Sequence, residues 1–284
     1  MSEVIRRIDE IADRYDAVLC DVWGVVHNGR KPYAAACAAL ARLRRGGRRV
    51  ILITNVPKPR GAIPAQLDRI GVPREAWDVI VTSGDAIRDE LAARAPGPIY
   101  KIEPPGYDAT LWAGLGLVEA PLRDAAFIGI SGLARDDETP ADYAEVLRQA
   151  RARDLEMLCA NPDIVVQFGD RMIWCAGAIA RDYEALGGRV VMAGKPAAPI
   201  YEMAYRELEG LSGGRIPKPR ILAIGDGIPT DIAGANAQIL DCVFVASGMH
   251  GEKLWTNGEV DLAKTKAALA AEQAHAAYVM QALA

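Results

Sequence analysis

The sequence of 284 residues lacks the features that mark several classes of protein. Its five cysteines are odd in number and widely spaced, and no C-x-x-C occurs. This pattern argues against a disulfide framework or a zinc site and favours reduced thiols. No apolar run reaches the ~18 residues of a membrane span. The charged stretch MSEVIRRIDEIADRY has no signal-peptide core, so we expect a soluble, cytoplasmic protein with no membrane partner.

Basic clusters and aromatic residues are also scarce. The formal net charge is −4, and no basic tail or dense Lys/Arg block occurs, so nucleic acid is not expected as a partner. Aromatic residues make up 6% of the chain, whereas 51% of its residues are hydrophobic. This composition favours a sizeable core in which alanine-rich helices cover a sheet, in one large domain or two smaller ones.

Short β-branched runs alternate with helical patterns through most of the chain. Such runs lead into Asp21, Thr54 and Ser83, and later ones read RVVMAGKP, RILAIGDG and CVFVASG. Uniformly apolar strands that alternate with helices predict an α/β fold, with a doubly wound, Rossmann-like parallel sheet covered on both faces.

The middle of the chain has a different pattern, with many Pro and Gly residues. The stretch DIVVQFGDRMIWCAG predicts two strands around a Gly-Asp turn, which adds an antiparallel hairpin. We therefore assign residues 86–188 to an α/β domain inserted into a core that is formed by residues 1–85 and 189–284.

Four polar residues follow strands of the predicted core: Asp21, Thr54, Lys195 and Asp226. In a doubly wound sheet, ligands bind beyond the carboxyl ends of the strands. Each residue alone also fits an ordinary helix cap or turn. Two carboxylates, Asp226 and Asp231, flank one turn and favour a cation there. A carboxylate, a hydroxyl, an ammonium and a cation together suit phosphoryl transfer through an aspartyl-phosphate.

The stretches DVWGV, LITN, GKPAAPIYEMA and IGDGIPTDIAGA resemble, in this order, the four motifs of the haloacid-dehalogenase-like (HAD) hydrolase superfamily. The long insert between Thr54 and Lys195, with TSGDAIRDEL, ANPD and GAIARDYEALGG, resembles subclass IIA and its type-two α/β cap. The resemblance covers nearly the whole chain. It implies a Mg²⁺-dependent phosphatase of a small phosphorylated metabolite, and it allows a homodimer formed through the cap.

The resemblance also implies roles for the residues at the strand ends. Asp21 would be the nucleophile. Thr54, Asn55 and Lys195 would bind the phosphoryl group, and Lys195 would also neutralise Asp21.

The same resemblance implies a magnesium site. Asp21 and Asp226 would bind the ion, together with the backbone carbonyl of Trp23. Asp231 would orient the surrounding ligands or bind the ion through a water molecule.

Trp23 departs from the pattern of the phosphatases that the sequence resembles. In those enzymes the residue two after the nucleophile is a second aspartate, which protonates the leaving oxygen and then activates water. An indole N–H does not titrate, so Trp23 cannot take that role. His27, six residues after Asp21 and next to the turn signal Asn28-Gly29, is the candidate substitute acid because histidine titrates near neutral pH.

Other functions remain open at this stage. Dehalogenases of the family carry an aromatic residue at the position of Trp23, which makes carbon–halogen hydrolysis an alternative, although these enzymes need no metal. A binding or regulatory protein that kept the fold and lost turnover is a further alternative. A receiver domain does not fit the late Lys195, and a dinucleotide-binding fold does not fit the single glycine after the first strand.

Overall fold

The structure, a computed structural model, describes residues 2–169, 171–248 and 251–284. Its strands are β1 (Glu3–Val4), β2 (Ala17–Cys20), β3 (Arg49–Thr54), β4 (Val79–Thr82), β5 (Ile99–Ile102), β6 (Phe127–Ile130), β7 (Glu156–Cys159), β8 (Val165–Phe168), β9 (Arg171–Trp174), β10 (Arg189–Met192), β11 (Ile221–Gly225), β12 (Asp241–Val245), β13 (Trp255–Thr256), β14 (Glu259–Val260) and β15 (Tyr278–Met280). Its α-helices are α1 (Ala34–Arg45), α2 (Ile63–Ile70), α3 (Ser83–Ala92), α4 (Ala109–Trp112), α5 (Ala144–Ala152), α6 (Ala176–Ala185), α7 (Ala198–Ser212), α8 (Ala233–Gln238) and α9 (Leu262–Ala271).

A parallel sheet of seven strands forms the core, in the order β1-β15-β12-β11-β2-β3-β4. From β2 the chain runs outward through β3 to β4. It later returns to β11 on the other side of β2 and continues outward through β12 to β15. The topological switch point therefore lies between β2 and β11, where ligands bind in folds of this type.

Both faces of this sheet are buried. Because successive side chains of a strand point to opposite faces, Val18 and Leu19 of β2 lie in two different apolar clusters. Leu40 of α1 packs in the cluster with Val18, and Ile200 of α7 packs in the cluster with Leu19. The doubly wound, Rossmann-like core that the alternating pattern predicts is confirmed.

A second parallel sheet has the order β10-β7-β6-β5 and packs its own apolar cluster against α5 and α6. Strands β8 and β9 form the antiparallel hairpin predicted from the sequence, and Asp170 lies outside the described residues. We call residues 83–192, which contain this sheet and the hairpin, the cap.

The cap differs from the insert expected from the sequence at both boundaries. Strand β10 pairs with β7 and not with a core strand, so residues 189–192 belong with the cap sheet. Residue 85 lies in the first turn of α3, so a division there would cut a helix. We therefore propose a cap of residues 83–192, because sheet pairing and helix continuity place the boundaries there.

Two expectations from composition concern the thiols and the membrane. All five cysteines are buried and unpaired, as their spacing predicts. Within the described ranges, no helix has both the length and the apolar character that crossing a membrane requires.

Candidate active site

Asp21 and Asp226 lie next to each other at the switch point because they directly follow the neighbouring strands β2 and β11. The backbone N–H of Asp21 donates to the carbonyl oxygen of Ile224 at 2.8 Å, so strand pairing continues through Asp21 and fixes its backbone. Both carboxylates are buried. Asp21 and Asp226 therefore lie side by side, as their places after two strands of the predicted sheet indicate.

Lys195 reaches the same place by a route that the sequence did not predict. It follows β10, a strand of the cap sheet, and lies on the connection that returns the chain to the core helix α7. Its Nζ lies 2.5 Å from Asp21 Oδ1 and 2.6 Å from Asp231 Oδ1. The lysine thus bridges two buried carboxylates from the junction between cap and core.

Asn55 holds the backbone of Lys195 in place. The Lys195 N–H donates to Asn55 Oδ1 at 2.8 Å, and Asn55 Nδ2 donates to the Lys195 carbonyl at 3.1 Å and to Asp163 Oδ1 at 2.9 Å. Asn55 is not among the described residues that line the cavity. The side-chain amide of Asn55 therefore positions Lys195, and its part in phosphate binding stays a prediction.

Thr54 ends β3 and lines the cavity beside Asp21. Its hydroxyl oxygen accepts the N–H of Val56 at 3.3 Å, which orients the side chain and leaves the hydroxyl proton for another acceptor. This geometry fits a group that donates a hydrogen bond to an anion.

Asp231 is held in the turn that follows β11. Its Oδ2 accepts the backbone N–H of Gly227 at 2.9 Å, while its Oδ1 contacts Lys195. A Cβ at Gly225 would lie 2.2 Å from the Asp231 carboxyl carbon, so only glycine fits at the end of the strand. The turn therefore fixes this carboxylate against the lysine.

Three carboxylates and one ammonium share this buried place. One oxygen each of Asp21, Asp226 and Asp231 lies within 4.8 Å of the others. Burial raises the pKa of Asp21 well above its usual value, and the negative charges of Asp231 and Asp226 add to that effect while Lys195 opposes it. Burial disfavours the charge of Lys195, but Asp21, Asp231 and Asp163 outweigh it and hold its pKa well above the usual value.

The residues fit a divalent cation. Carboxylate oxygens are the ligands that Mg²⁺ prefers, and ligand distances of ~2.1 Å place opposite ligands ~4.2 Å apart, so small side-chain rotations suffice. The backbone after Trp23 passes directly against this cluster, because a Cβ at Gly24 would lie 2.1 Å from Asp226 Oδ2. A Cβ at Gly248 would lie 1.9 Å from the same oxygen, so two glycines make room for Asp226.

The indole of Trp23 lines the cavity and packs between two rings. The His27 ring makes an edge-on contact at a centroid distance of 5.0 Å, and the Phe168 ring of the cap hairpin lies at 6.0 Å. Trp23 thus contacts the cap from the position beside the nucleophile.

The surroundings of His27 disfavour the role of substitute acid that the sequence suggests for it. Its side chain is buried, its Nδ1 accepts the N–H of Gly29 at 3.0 Å, and burial lowers its pKa to about 4. The described residues that line the cavity do not include His27. A buried imidazole whose pKa lies below its ordinary value is a poor proton donor at pH 7.

A cavity of about 340 Å³ lies between the core and the cap. Asp21, Thr54, Lys195 and Asp226 line its core side, and its cap side includes the residues Asp108, Ser131, Asp163, Phe168 and Trp174. The sequence patterns do not identify these cap residues as functional. Their common position emerges only when the cap sheet and hairpin fold over the core.

Two family models match this chain. The model described as haloacid dehalogenase-like hydrolase matches residues 18–113, and the model described as HAD-hydrolase-like matches residues 192–283. The two matched ranges cover the core strands that carry Asp21, Thr54 and Asp226, together with the Lys195 segment.

Solved structures and curated proteins give the same result. A crystal structure of a haloacid dehalogenase-like hydrolase from Brucella suis 1330 matches with a TM-score of 0.89 and 44% identity, covering 99% of this chain and 100% of that chain. D-glycerol 3-phosphate phosphatase of Mycobacterium tuberculosis is 26% identical over 254 residues, which is 84% of this chain and 65% of that protein's length.

A crystal structure of a glycerol phosphate phosphatase from Mycobacterium tuberculosis in complex with magnesium matches with a TM-score of 0.60 and 28% identity, covering 84% of this chain and 70% of that chain. The family of the chain follows from the match to the Brucella suis hydrolase and from the two family models. The chain belongs to the haloacid-dehalogenase-like hydrolase superfamily, subclass IIA.

Proposed function

We propose that this hydrolase is a Mg²⁺-dependent phosphatase that acts on a small phosphorylated metabolite through Asp21. The observation that carries the proposal is the contact of Lys195 Nζ with Asp21 and Asp231, at the bottom of a cavity where Asp226 completes a cluster of three carboxylates. A carboxylate nucleophile, an ammonium and oxygen ligands for a cation are the groups that phosphoryl transfer through an aspartyl-phosphate needs.

In the first step a carboxylate oxygen of Asp21 attacks phosphorus, and the bond from phosphorus to the ester oxygen breaks. The leaving oxygen takes the bonding electron pair. Lys195 and the Thr54 hydroxyl bind phosphoryl oxygens. The positive charge of the lysine reduces the repulsion between the Asp21 carboxylate and the phosphate. In the second step water hydrolyses the aspartyl-phosphate, which releases phosphate and restores Asp21.

Asp21, Asp226 and the carbonyl of Trp23 would hold the magnesium ion, with Asp231 supporting them. When bound, the ion supplies positive charge to the reacting oxygens and lowers the repulsion between carboxylate and phosphate. A relative of 28% identity has been crystallised in complex with magnesium, which supports this choice of cation. The turn that fixes Asp231 against Lys195 keeps the lysine pointed at Asp21.

Trp23 leaves the core side of the site without the aspartate that phosphatases of the family use as general acid. General acid catalysis typically contributes ~10²–10⁴-fold to a rate. We therefore propose that hydrolysis depends strongly on the pKa of the leaving group, so that aryl and acyl phosphates react faster than simple alkyl phosphates.

The size of the cavity supports a small substrate. Its volume of about 340 Å³ lies at the lower end of the ~300–1,000 Å³ typical of ligand pockets. Relatives named as glycerol phosphate phosphatases support a substrate about as large as glycerol phosphate.

The test is phosphate release from a panel of phosphorylated metabolites. The purified chain is first treated with a chelator and then supplied with Mg²⁺. We expect release only after Mg²⁺ is added, with a preference for a few small esters. Equal release with and without the chelator would overturn the metal dependence. Tight binding of esters without any release would favour a binding or regulatory protein instead.

A further inference from the structure

Two polar side chains are buried on the cap side of the cavity, Asp108 and Ser131, with exposures of 1% and 2%. Ser131 directly follows β6, and Asp108 lies beyond the end of the neighbouring strand β5. They therefore occupy the carboxyl end of the cap sheet, as Asp21 and Asp226 occupy the carboxyl end of the core sheet.

An ordinary structural explanation for Asp108 is helix capping, because it directly precedes α4. The structure does not support that explanation: its side chain accepts no hydrogen bond from the first turn of the helix. Within the described ranges, neither Asp108 carboxylate oxygen nor the Ser131 hydroxyl makes a hydrogen bond of ordinary distance and angle. The Ser131 hydroxyl lies close enough to Asp108 to stabilise its carboxylate, so the two side chains form one polar pair. Buried polar groups are almost always fully hydrogen-bonded in proteins, so this pair has hydrogen-bonding capacity left for a group that does not belong to the chain.

The charged groups near Asp108 and Ser131 determine which kind of ligand group this pair can bind. Burial raises the pKa of Asp108, while the adjacent Ser131 hydroxyl and the Lys58 ammonium oppose that effect and favour the carboxylate. The Nζ of Lys58 lies 3.2 Å above the ring of Tyr107, which keeps this positive charge beside Asp108. A carboxylate accepts hydrogen bonds, and a hydroxyl both accepts and donates, so this pair selects a group with N–H or O–H donors.

We propose that Asp108 and Ser131 form a substrate subsite that binds a hydroxyl or ammonium group at the end of the substrate away from the phosphate. The substrate class is then phosphorylated polyols or amino alcohols. This inference rests on the proposed function, because the phosphate end is assigned to Asp21, Lys195 and Thr54 in the same cavity. It adds a selection among phosphate esters that the residues assigned to the phosphate end cannot make.

The test compares binding of matched esters that differ in one donor group. Glycerol 3-phosphate is paired with propyl phosphate, and ethanolamine phosphate with ethyl phosphate. Affinities are measured by titration calorimetry with Mg²⁺ on the full chain carrying Asp21→Asn, so that the esters bind without turnover. In this background we expect the donor-bearing member of at least one pair to bind about 10-fold tighter or more.

Substitutions in the cap then locate the selection. Asp108→Leu and Ser131→Ala should each bring the ratio within a pair to about threefold or less, because the donor loses its acceptor. Asp136→Asn is the matched control, since Asp136 lines the same cavity but is exposed. It should leave the ratio unchanged. If Asp108→Leu does not fold, Ser131→Ala carries the test.

A ratio near one for both pairs in the unsubstituted cap would overturn the subsite, as would a ratio that neither cap substitution changes. The proposed function is judged separately, by phosphate release from p-nitrophenyl phosphate with Asp21 intact. If no phosphate is released but the affinity ratio within a pair is as expected, the phosphatase proposal is rejected and the subsite proposal stands. If phosphate is released but both affinity ratios are near one, the phosphatase proposal stands and the subsite proposal is rejected.

Discussion

Trp23 occupies the position where a second aspartate would protonate the leaving oxygen. We predict that Trp23→Asp raises turnover of alkyl phosphates more than that of aryl phosphates, because only the poor leaving group needs the proton. The difference should approach the ~10²–10⁴-fold that a general acid provides. The measurement is kcat for a series of esters plotted against the pKa of the leaving group, which should be steep in the unmodified chain and shallower in the variant.

Two other side chains test the same idea. Burial lowers the pKa of His27 to about 4, so it is neutral at pH 7, and His27→Ala should leave the slope of that plot unchanged. Asp163 lines the cavity, and burial raises its pKa, so it is the competing donor on the cap side. A shallow plot for the unmodified chain that becomes steep in Asp163→Asn would contradict the missing-acid account.

The sequence predicted the residues that follow core strands but not the residues that support them. Asp21 and Asp226 are visible as carboxylates after apolar runs, and parallel strands bring such ends together. The resemblance places Asn55 at the phosphate but does not reveal its side-chain partner Lys195, which lies 140 residues further along the chain. The unpaired state of Asp108 is a property of its surroundings, which no pattern of neighbouring residues encodes.

The loop after β2 and the cap hairpin β8–β9 form a contact across the mouth of the site. Phe168 packs against Trp23, the Arg30 guanidinium lies 5.3 Å from the Phe168 ring, and the N–H of Gly169 donates to the Asn28 carbonyl at 2.9 Å. Gly29 has φ +82°, and a Cβ there would lie 2.6 Å from both aromatic rings. Trp23 therefore helps to hold the cap over Asp21.

We predict that Phe168→Ala weakens this closure and raises KM for aryl phosphates about 3- to 10-fold, since an aromatic pair contributes ~0.5–1.5 kcal/mol beyond its buried area. Met172→Ala is the matched control because Met172 lies in the same hairpin with 53% of its surface exposed. Steady-state kinetics of the two variants provide the measurement. An equal effect of both substitutions would show that the hairpin as a whole matters, and not the contact with Trp23.

The sheet to which the strand β10 belongs could not be predicted from the sequence. The stretch RVVM predicts a strand correctly, although Arg189 is exposed and the other three residues are only partly buried. The pattern contains no information about which sheet the strand joins. Pairing with β7 assigns it to the cap sheet, so Lys195 lies at the hinge between cap and core and not at the end of a core strand.

The whole molecule consists of a core and a cap with a cavity between them. Association of two copies through the cap stays a prediction. Val118 and Met172 of the cap expose more than half of their surface. Sedimentation equilibrium should give about twice the 30.5 kDa of the chain if this surface joins two copies. A mass equal to that of one chain would contradict the prediction.

The carboxylate cluster makes stability depend on metal and pH. Because the pKa of Asp21 is raised in the folded state, the folded chain holds a proton that the unfolded chain loses above about pH 4, so stability falls as pH rises from there through the raised pKa. Magnesium needs the deprotonated carboxylate, so its binding releases that proton. We predict that saturating Mg²⁺ raises Tm by about 5 °C at pH 8 and by less at pH 5.

Thermal unfolding with and without Mg²⁺ at the two pH values provides this measurement. Asp226→Asn should abolish most of the response to Mg²⁺, because the ion loses one of its proposed carboxylate ligands. A response to Mg²⁺ that is equal at both pH values and unchanged in Asp226→Asn would place the binding of the ion elsewhere.

The central claim is that Asp21 attacks the phosphate ester in a Mg²⁺-dependent reaction. Phosphate release from p-nitrophenyl phosphate in Mg²⁺ tests it most directly, with the unmodified chain, Asp21→Asn and the exposed control Asp124→Asn measured side by side. The account predicts that Asp21→Asn lowers kcat by more than about 10³-fold, because an amide is not a nucleophile, while Asp124→Asn has no effect. Release by Asp21→Asn within tenfold of the unmodified chain would contradict it.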